Sequence, residues 1–183
     1  MNGRPESPSD AGSFADLSWG RRGTAPARAA QRLAGTVGGS WLIRTLVPVD
    51  RWLLSATQGR YTVLGPFGTP LLLLTTTGAR SHQPRTKPLV YVVDGDHVLL
   101  AASNFGQARH PAWSANLLAQ PEATVVIGGR VVAVTARLLE GQDRDRAWAR
   151  FEDLATTYRV YRSRTDRDIR VFRLDARPAA STR

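Results

Sequence analysis

The sequence predicts an α+β fold in which an antiparallel β-barrel carries flanking helices. Two tight turns, Asp94-Gly95-Asp96 and Gly128-Gly129, each separate two apolar runs, which is typical of β-hairpins. Two segments with helical spacing interrupt these runs without a regular alternation of strands and helices. A chain of 183 residues, 42% of them hydrophobic, can bury one core without disulfides. Together these observations favour an antiparallel barrel over a doubly wound sheet.

Each predicted element follows from a local pattern. Strands are predicted where apolar and β-branched residues run between turn residues: 71–77, 87–93, 97–103, the two arms of 124–139, and 171–174. A helix is predicted over 111–120, because Pro111 suits a first helical turn, and another over 143–158, because apolar residues recur there every three or four positions. A helix interrupted at Pro48 is predicted over 40–58, with an apolar face that packs on the domain or contacts lipid or a lipophilic substrate.

Composition divides the chain into three parts. Residues 1–38 are rich in Gly, Ser, Ala, Pro and Arg without a sustained period, so we expect a flexible basic tail, with a short surface helix over 21–35 as the alternative. Residues 39–177 form the predicted barrel domain, and residues 178–183 form a C-terminal tail. The N-terminus lacks the apolar region of a signal peptide, and no apolar run approaches the ~20 residues of a membrane span. We therefore expect a cytoplasmic location and leave peripheral membrane contact through the N-terminal region open.

The chain is strongly basic and carries almost no metal-binding side chains. Its net charge is +10, and Lys87 is its only Lys, which is the composition that a GC-rich genome would give. Part of the charge could still serve an acidic ligand, an anionic membrane or nucleic acid. With no Cys and three His, a metal site is not expected.

The basic segment, residues 78–87, is the first candidate site. Arg80, Arg85 and Lys87 follow a predicted strand, and no acidic residue lies between Arg60 and Val93. Guanidinium groups suit phosphate and carboxylate, Gly78 permits close backbone approach, and Ser81 adds a hydroxyl. The alternative is a solvated basic hairpin. Neither the P-loop spacing nor G-x-G-x-x-G is present.

Two further segments carry polar groups that could face a ligand. In "ASNFGQARHPAWSANL" (102–117), Asn104 and the backbone before a helix could bind a polar ring edge, although His110 and Trp113 could equally be structural. In "YRVYRSRTDR" (158–167), Tyr158 and Tyr161 would share a helical face and either line a pocket or pack together.

These three segments, in this order, resemble the deazaflavin-dependent nitroreductases of actinobacteria, which bind coenzyme F420. The family patterns T-T-x-G-R-x-[ST]-G-x-x-R-x-x-P-L, A-S-N-x-G-x-x-x-H-P-x-W-x-x-N-L and Y-x-x-Y-x-x-x-T-D-R align with "TTTGARSHQPRTKPL", "ASNFGQARHPAWSANL" and "YRVYRSRTDR". The resemblance covers residues 40–175 and implies a split β-barrel related to flavin-binding oxidoreductases. This sequence departs from the family at His82 and Phe105, where Gly is usual, and at Ser114, where an aromatic is frequent.

The resemblance also implies a cofactor site and a substrate site. The phosphate, glutamate tail and linker of F420 would lie against Gly78, Arg80, Ser81, Arg85, Lys87, Pro88 and Leu89. The ring side would be shaped by Ala102, Ser103, Asn104, Gly106, His110 and Trp113. Tyr158 and Tyr161 match the substrate-pocket tyrosines and would orient the acceptor or donate a proton, and Ser103 would also take part in catalysis.

The implied function is hydride transfer from reduced F420 to an electron-poor acceptor such as a quinone, a nitroaromatic or an activated enone. The alternatives are an FMN-binding oxidoreductase on the same fold and a non-catalytic cofactor or lipid carrier. A nucleic-acid binder is not expected, because few aromatic residues accompany the basic segment. The protein would act as a monomer or a homodimer.

Overall fold

The computed structural model describes Phe14 and residues 70–178. Six strands occur in this part of the chain: β1 Leu71–Thr77, β2 Pro84–Asp94, β3 His97–Ala101, β4 Glu122–Ile127, β5 Arg130–Leu139 and β6 Val171–Ala176. The helices are α1 Ala112–Ala119, α2 Gly141–Leu154 and α3 Thr157–Ser163, with a short 3₁₀ turn at Asn104–Gly106. Residues 1–13, 15–69 and 179–183, including most of the predicted tails and the predicted helix over 40–58, lie outside the described residues.

The strands close into one antiparallel barrel in the order β1-β2-β3-β6-β5-β4. The hairpin turns lie where the sequence predicts them, at Gly95 (φ 60°) and at Gly128 and Gly129 (φ 56° and 80°). Positive φ at these positions favours Gly, because a Cβ atom is disfavoured there. The predicted α+β barrel with flanking helices is confirmed.

Alternating side chains fill the barrel and leave a second apolar face outside it. The lumen holds a core to which every strand contributes, represented by Leu74, Tyr91, Leu100, Val125, Val134 and Phe172. Helix α1 closes one end of this core with Trp113 and Leu117, and the Trp113 ring lies 5.6 Å from that of Phe172. Because neighbouring strand residues point to opposite faces, Val92, Leu99 and Val171 face outward. Helices α2 and α3 cover them with an outer cluster that includes Trp148, Phe151 and Tyr158.

The predicted helix over 143–158 is wrong as one element. The chain is helical to Leu154, extended at Ala155 (φ −157°, ψ 130°), and helical again from Thr157. The break turns Tyr158 back onto α2, where its ring centroid lies 5.1 Å from that of Phe151 and 5.9 Å from that of Trp148. Packing of these three rings therefore prevails over the helical period. β-branched Thr156 and Thr157 have low helix propensity, so they do little to keep the helix continuous.

Three boundaries also differ from the prediction. Strand β2 begins at Pro84 rather than at 87, because Pro84 to Thr86 pair with the end of β1. Strand β3 ends at Ala101 rather than at 103, since the Ala102 amide donates to Arg170 O (2.8 Å) outside the ladder. Pro111 lies at the N-cap of α1 in extended conformation, not in its first turn.

Phe14 departs from the predicted flexible tail. Its side chain is 1% exposed and belongs to the lumen core. Burial of a Phe is worth a few kcal/mol, which can offset the entropy of ordering a short stretch of chain. The rest of the predicted tail lies outside the described residues.

Candidate active site

All three sequence motifs meet at the end of the barrel that α1 closes. Here β1 ends opposite the start of β2 (Thr77 with Pro84), and β3 ends opposite the start of β6 (Ala101 with Val171). The basic segment leaves β1 at this end. The asparagine loop, residues 102–110, leaves β3 here, and the segment 164–170 enters β6 here. The antiparallel register thus gathers segments that are distant in sequence.

The turn at the start of the basic segment is tight. The Gly78 amide donates to Gln83 O (2.9 Å), and the His82 amide donates to Gly78 O (2.8 Å). A Cβ atom on Gly78 would lie 2.5 Å from Ser81 Oγ and 3.2 Å from Gln83 O. A side chain at Gly78 would therefore crowd the turn, because the Ser81 hydroxyl would have to rotate away and Gln83 O would be in tight contact.

His82 has the left-handed backbone conformation, which favours Gly. Its φ is 52°, a region in which a residue with a Cβ atom is disfavoured. The side chain at this position therefore places local strain on the backbone of the turn.

The cations divide between the turn and the strand. Arg80 lies in the turn, whereas Arg85 and Lys87 lie on β2, two residues apart and thus on one face. All three side chains are exposed. Arg85 Nη2 donates to Ser81 Oγ at 3.4 Å, and none of the three has an ion-pair partner among the described residues. Pro88 and Leu89 continue the strand half-buried, and Leu89 packs on the lumen core.

Asn116 ties this turn to α1. Its side-chain amide donates to Thr76 Oγ1 (2.9 Å), and its Oδ1 accepts from the Ala79 amide (3.0 Å). Asn116 is 7% exposed, and its bond to Thr76 is shielded from water, whereas the bond from the exposed Ala79 is partly shielded. Sequence reasoning did not select it, although it is the Asn of the "HPAWSANL" motif.

The asparagine loop contains three consecutive residues with positive φ: Asn104 (46°), Phe105 (57°) and Gly106 (75°). Asn104 Nδ2 donates to Arg109 O (2.9 Å) and to Gln107 Oε1 (3.2 Å), so its donors serve the loop itself. Gly106 is buried, and a Cβ atom there would lie 2.8 Å from Arg164 Cβ and 2.9 Å from Tyr161 O. Gly106 thus lets the loop pack closely on α3.

Arg167 holds this loop and was missed by the sequence reasoning. Its guanidinium donates to the backbone oxygens of Ala102 (3.1 Å), Ser103 (2.8 Å) and Gln107 (2.8 Å). It also lies 3.1 Å from His110 Nδ1. The signal was present in the sequence as the Arg of "TDR", but nothing there connects it with a loop some sixty residues earlier in the chain.

The remaining predicted ring-side residues have different environments. Burial, together with the positive charges of Arg170 and Arg167, lowers the pKa of His110 below its ordinary value. Ser103 is half-buried, and its Oγ has no hydrogen-bond partner among the described residues. Ala102 and Trp113 are buried in the lumen core, so their side chains serve packing rather than ligand contact.

The two tyrosines lie in different surroundings. Tyr158 is 8% exposed within the outer cluster, and burial, with a smaller effect from Tyr161, raises the pKa of its hydroxyl. A buried phenol of raised pKa is a poor proton donor, which argues against the predicted catalytic role of Tyr158. Tyr161 is half-buried, and its ring meets that of Phe105 edge to face at 5.9 Å. Phe105 itself is 66% exposed.

Within residues 70–178, no cluster of His, Cys, Asp or Glu side chains has an arrangement suited to a metal ion. In the same part of the chain, no helix has both the length and the apolar character needed to cross a membrane.

Comparisons with known proteins agree with the geometry. The family model for F420H(2)-dependent quinone reductase matches residues 49–175. An F420H(2)-dependent quinone reductase of Mycobacterium tuberculosis (strain H37Rv) is 42% identical over 124 residues, covering 66% of this chain and 83% of the relative. A solved structure of an F420-H2 dependent reductase is 37% identical, with a TM-score of 0.54 over 58% of this chain and 94% of the other.

A second solved structure, described as a domain-swapped dimer, is 32% identical with a TM-score of 0.57, covering 74% of this chain and 98% of the other. The family match spans well over half of the chain and includes all three motifs of the barrel end. The chain therefore belongs to the F420H(2)-dependent quinone reductase family.

Proposed function

We propose that this protein is an oxidoreductase that uses reduced F420 to reduce quinones at the α1 end of the barrel. The observation that carries the proposal is the set of three exposed cations, Arg80, Arg85 and Lys87, without carboxylate partners among the described residues. They lie at the same barrel end as the half-buried asparagine loop. F420 is polyanionic and has a ring at one end. Its anionic part suits the cations, and its ring suits the less polar part of the site at the asparagine loop.

The basic segment is the part that suits the phosphate and glutamate tail of F420. Guanidinium groups bind phosphate and carboxylate through paired donors, and the Lys87 ammonium adds a point charge on the same strand face as Arg85. The Asn116 bonds to Thr76 and Ala79 fix the turn against α1. A turn held in this way needs little further ordering when an anion binds, which favours affinity.

The asparagine loop and α3 are the part that suits the ring and the acceptor. Bound F420 would supply the hydride chemistry, and the protein residues would supply orientation and hydrogen bonds. Within the loop, Ser103 Oγ and the His110 imidazole are polar groups suited to these hydrogen bonds. Phe105 and Tyr161 present an aromatic surface that suits a flat acceptor such as a quinone. The same surface suits nitroaromatics and enones of similar shape.

Removal of single cations tests the tail site. We expect Arg80→Ala and Arg85→Ala each to weaken F420 binding by about 1.5–3 kcal/mol, or tenfold or more in Kd, because each loses charge-assisted hydrogen bonds. Fluorescence titration with F420 measures the change. Arg130→Ala is the matched control, since Arg130 is exposed in the β4–β5 hairpin at the opposite barrel end. If all three variants bind F420 as tightly as wild type does, the basic segment is not part of the cofactor site.

Turnover decides between the proposed function and its rivals. We expect multiple turnovers of a quinone with reduced F420 and none with reduced FMN, measured by the return of F420 absorbance. A purified protein that carries tightly bound FMN and reduces quinones with it would support the FMN alternative. Binding of F420 without turnover on any quinone, nitroaromatic or enone would support a carrier.

Assembly and location remain predictions. A relative solved as a domain-swapped dimer makes a homodimer a reasonable expectation, which light scattering after size-exclusion chromatography would test. We propose a cytoplasmic location. Peripheral membrane contact would involve the N-terminal region, most of which lies outside the described residues. Flotation of the full chain with anionic vesicles would test the membrane contact.

A further inference from the structure

The Arg167 guanidinium is a half-buried cation with no carboxylate partner among the described residues. Its neighbour in sequence, Asp168, pairs instead with Arg144 at 2.7 Å. Burial, and secondarily the charge of Arg170, lowers the pKa of Arg167, as expected for a cation without a counterion. Burial of a charge is costly, and hydrogen bonds to its donors offset part of that cost.

All of its described hydrogen-bond partners belong to the asparagine loop. Three are backbone oxygens, of Ala102, Ser103 and Gln107, at 2.8–3.1 Å. These residues flank the left-handed positions Asn104 and Phe105, which the loop must hold against their conformational cost. One rigid planar group thus clamps both ends of the strained stretch.

The fourth partner is the His110 ring. Arg167 Nη1 lies 3.1 Å from Nδ1, and a guanidinium has donors but no acceptor. Nδ1 must therefore accept the bond through its lone pair, which leaves the proton of a neutral imidazole on Nε2. Burial, together with the nearby positive charges, disfavours a second proton, so the imidazole offers one donor in a defined position.

We propose that Arg167 is a positioning residue that holds the asparagine loop and fixes His110 in the Nε2–H tautomer for contact with the ring or the acceptor. The contact with the ring or acceptor rests on the proposed function, whereas the tautomer and the loop geometry do not. Arg167 acts through His110 and the loop rather than on the reacting atoms.

Nitrogen-15 NMR of histidine-labelled full-length protein tests the tautomer without cofactor. We expect His110, assigned by loss of its signals in His110→Gln, to show a protonated Nε2 and an unprotonated Nδ1 at pH 7.5. In Arg167→Met, which removes every donor, we expect a mixture of tautomers and a higher pKa for His110. In Arg167→Lys, which keeps one donor and the charge, we expect a partial return. Arg130→Gln should leave the spectrum unchanged.

Steady-state kinetics with the same variants tests the role. We expect Arg167→Met to lower quinone turnover at least tenfold while F420 affinity changes less than threefold, with partial rescue in Arg167→Lys and a normal rate in Arg130→Gln. Wild-type protein with the proton on Nδ1, or Arg167→Met with an unchanged His110 spectrum and rate, would overturn the proposal. A correct tautomer in an enzyme that turns over no acceptor would instead count against the proposed function.

Discussion

Tyr158 and Tyr161 are one helical turn apart, with ring centroids 5.6 Å from each other, yet only Tyr161 reaches the barrel end. Tyr158 is surrounded by Trp148 and Phe151, whereas Tyr161 contacts exposed Phe105. The two tyrosines of one motif therefore have different environments, and we infer different roles for them. Tyr158 anchors α3 to α2, and Tyr161 is left as the candidate for contact with the acceptor.

Removal of each hydroxyl separates these tasks. We expect Tyr161→Phe to lower quinone turnover at least about tenfold, because it removes a hydroxyl that can bond or protonate the acceptor. We expect Tyr158→Phe to keep near-normal turnover, because the ring packing is retained. F420 affinity should remain close to wild type in both. A large loss of turnover in Tyr158→Phe, with the melting temperature unchanged, would restore the catalytic role predicted from the sequence.

The strain at His82 can be measured directly. We expect His82→Gly to raise the free energy of unfolding by about 0.5–1 kcal/mol. Relief of a left-handed conformation is worth about 1–2 kcal/mol, and the greater freedom of Gly in the unfolded chain offsets about 0.5–1 kcal/mol of it. Urea titration gives the difference. Loss of stability in this variant would mean that the imidazole makes a contact worth more than the strain.

Residue type limits what could be predicted at this scale. The turns at Gly95 and at Gly128-Gly129 could be predicted, because Gly is the residue that positive φ favours. Asn104, Phe105 and His82 adopt the same region without such a signal. Arg167 and Asn116 act through partners far away in sequence, so no local pattern reveals them. The charge of the basic segment, by contrast, was readable because it lies in one continuous stretch.

At the scale of elements, α3 and the asparagine loop behave as one unit. Gly106 packs on the Tyr161 backbone, and the Phe105 ring packs on the Tyr161 ring. The break at Ala155 gives α3 its direction. Periodicity predicted the apolar face of 143–158 correctly, but it could not show that the helix breaks at Ala155. The position of Tyr161 therefore depends on contacts that only the tertiary structure specifies.

Gly106→Ala tests this unit. The added methyl would meet Arg164 Cβ and Tyr161 O at less than 3.0 Å, so we expect a loss of about 1–3 kcal/mol in stability and a larger loss in quinone turnover than in F420 affinity. Gly95→Ala is the matched control, since Gly95 also has positive φ but a Cβ atom there meets nothing within 4 Å. Equal effects of the two substitutions would show that backbone strain, rather than packing on α3, dominates.

At the scale of the whole molecule, the barrel fold was predictable because hairpins and alternation are local signals. The closing pairs, β1 with β4 and β3 with β6, are not local and were not specified by the sequence reasoning. The burial of Phe14 was also missed, because its neighbours have the composition of a tail. One apolar residue in a polar stretch is too weak a signal to predict docking.

Phe14→Ala tests the anchoring of the N-terminal segment. We expect a loss of about 3–5 kcal/mol in the free energy of unfolding, as for removal of a large buried ring. Phe105→Ala provides the stability control, because Phe105 is mostly exposed. Urea unfolding of both variants gives the comparison. A Phe14→Ala variant as stable as wild type would mean that burial of this side chain contributes nothing to folding, as expected if residues 1–38 are the flexible tail predicted from composition.

Closure of the barrel has a consequence for how the protein folds. Leu73 pairs with Val126 and Val98 with Leu174, so the ladder is complete only after each end of residues 70–178 has paired with a strand from the middle of that range. Such non-local pairings give a high contact order, and domains of this kind fold in milliseconds to seconds rather than microseconds. The barrel end that carries the cations and the asparagine loop is built from these non-local pairings. We expect a ligand that binds this end in the folded state, but does not bind the folding transition state, to slow unfolding while leaving the folding rate unchanged.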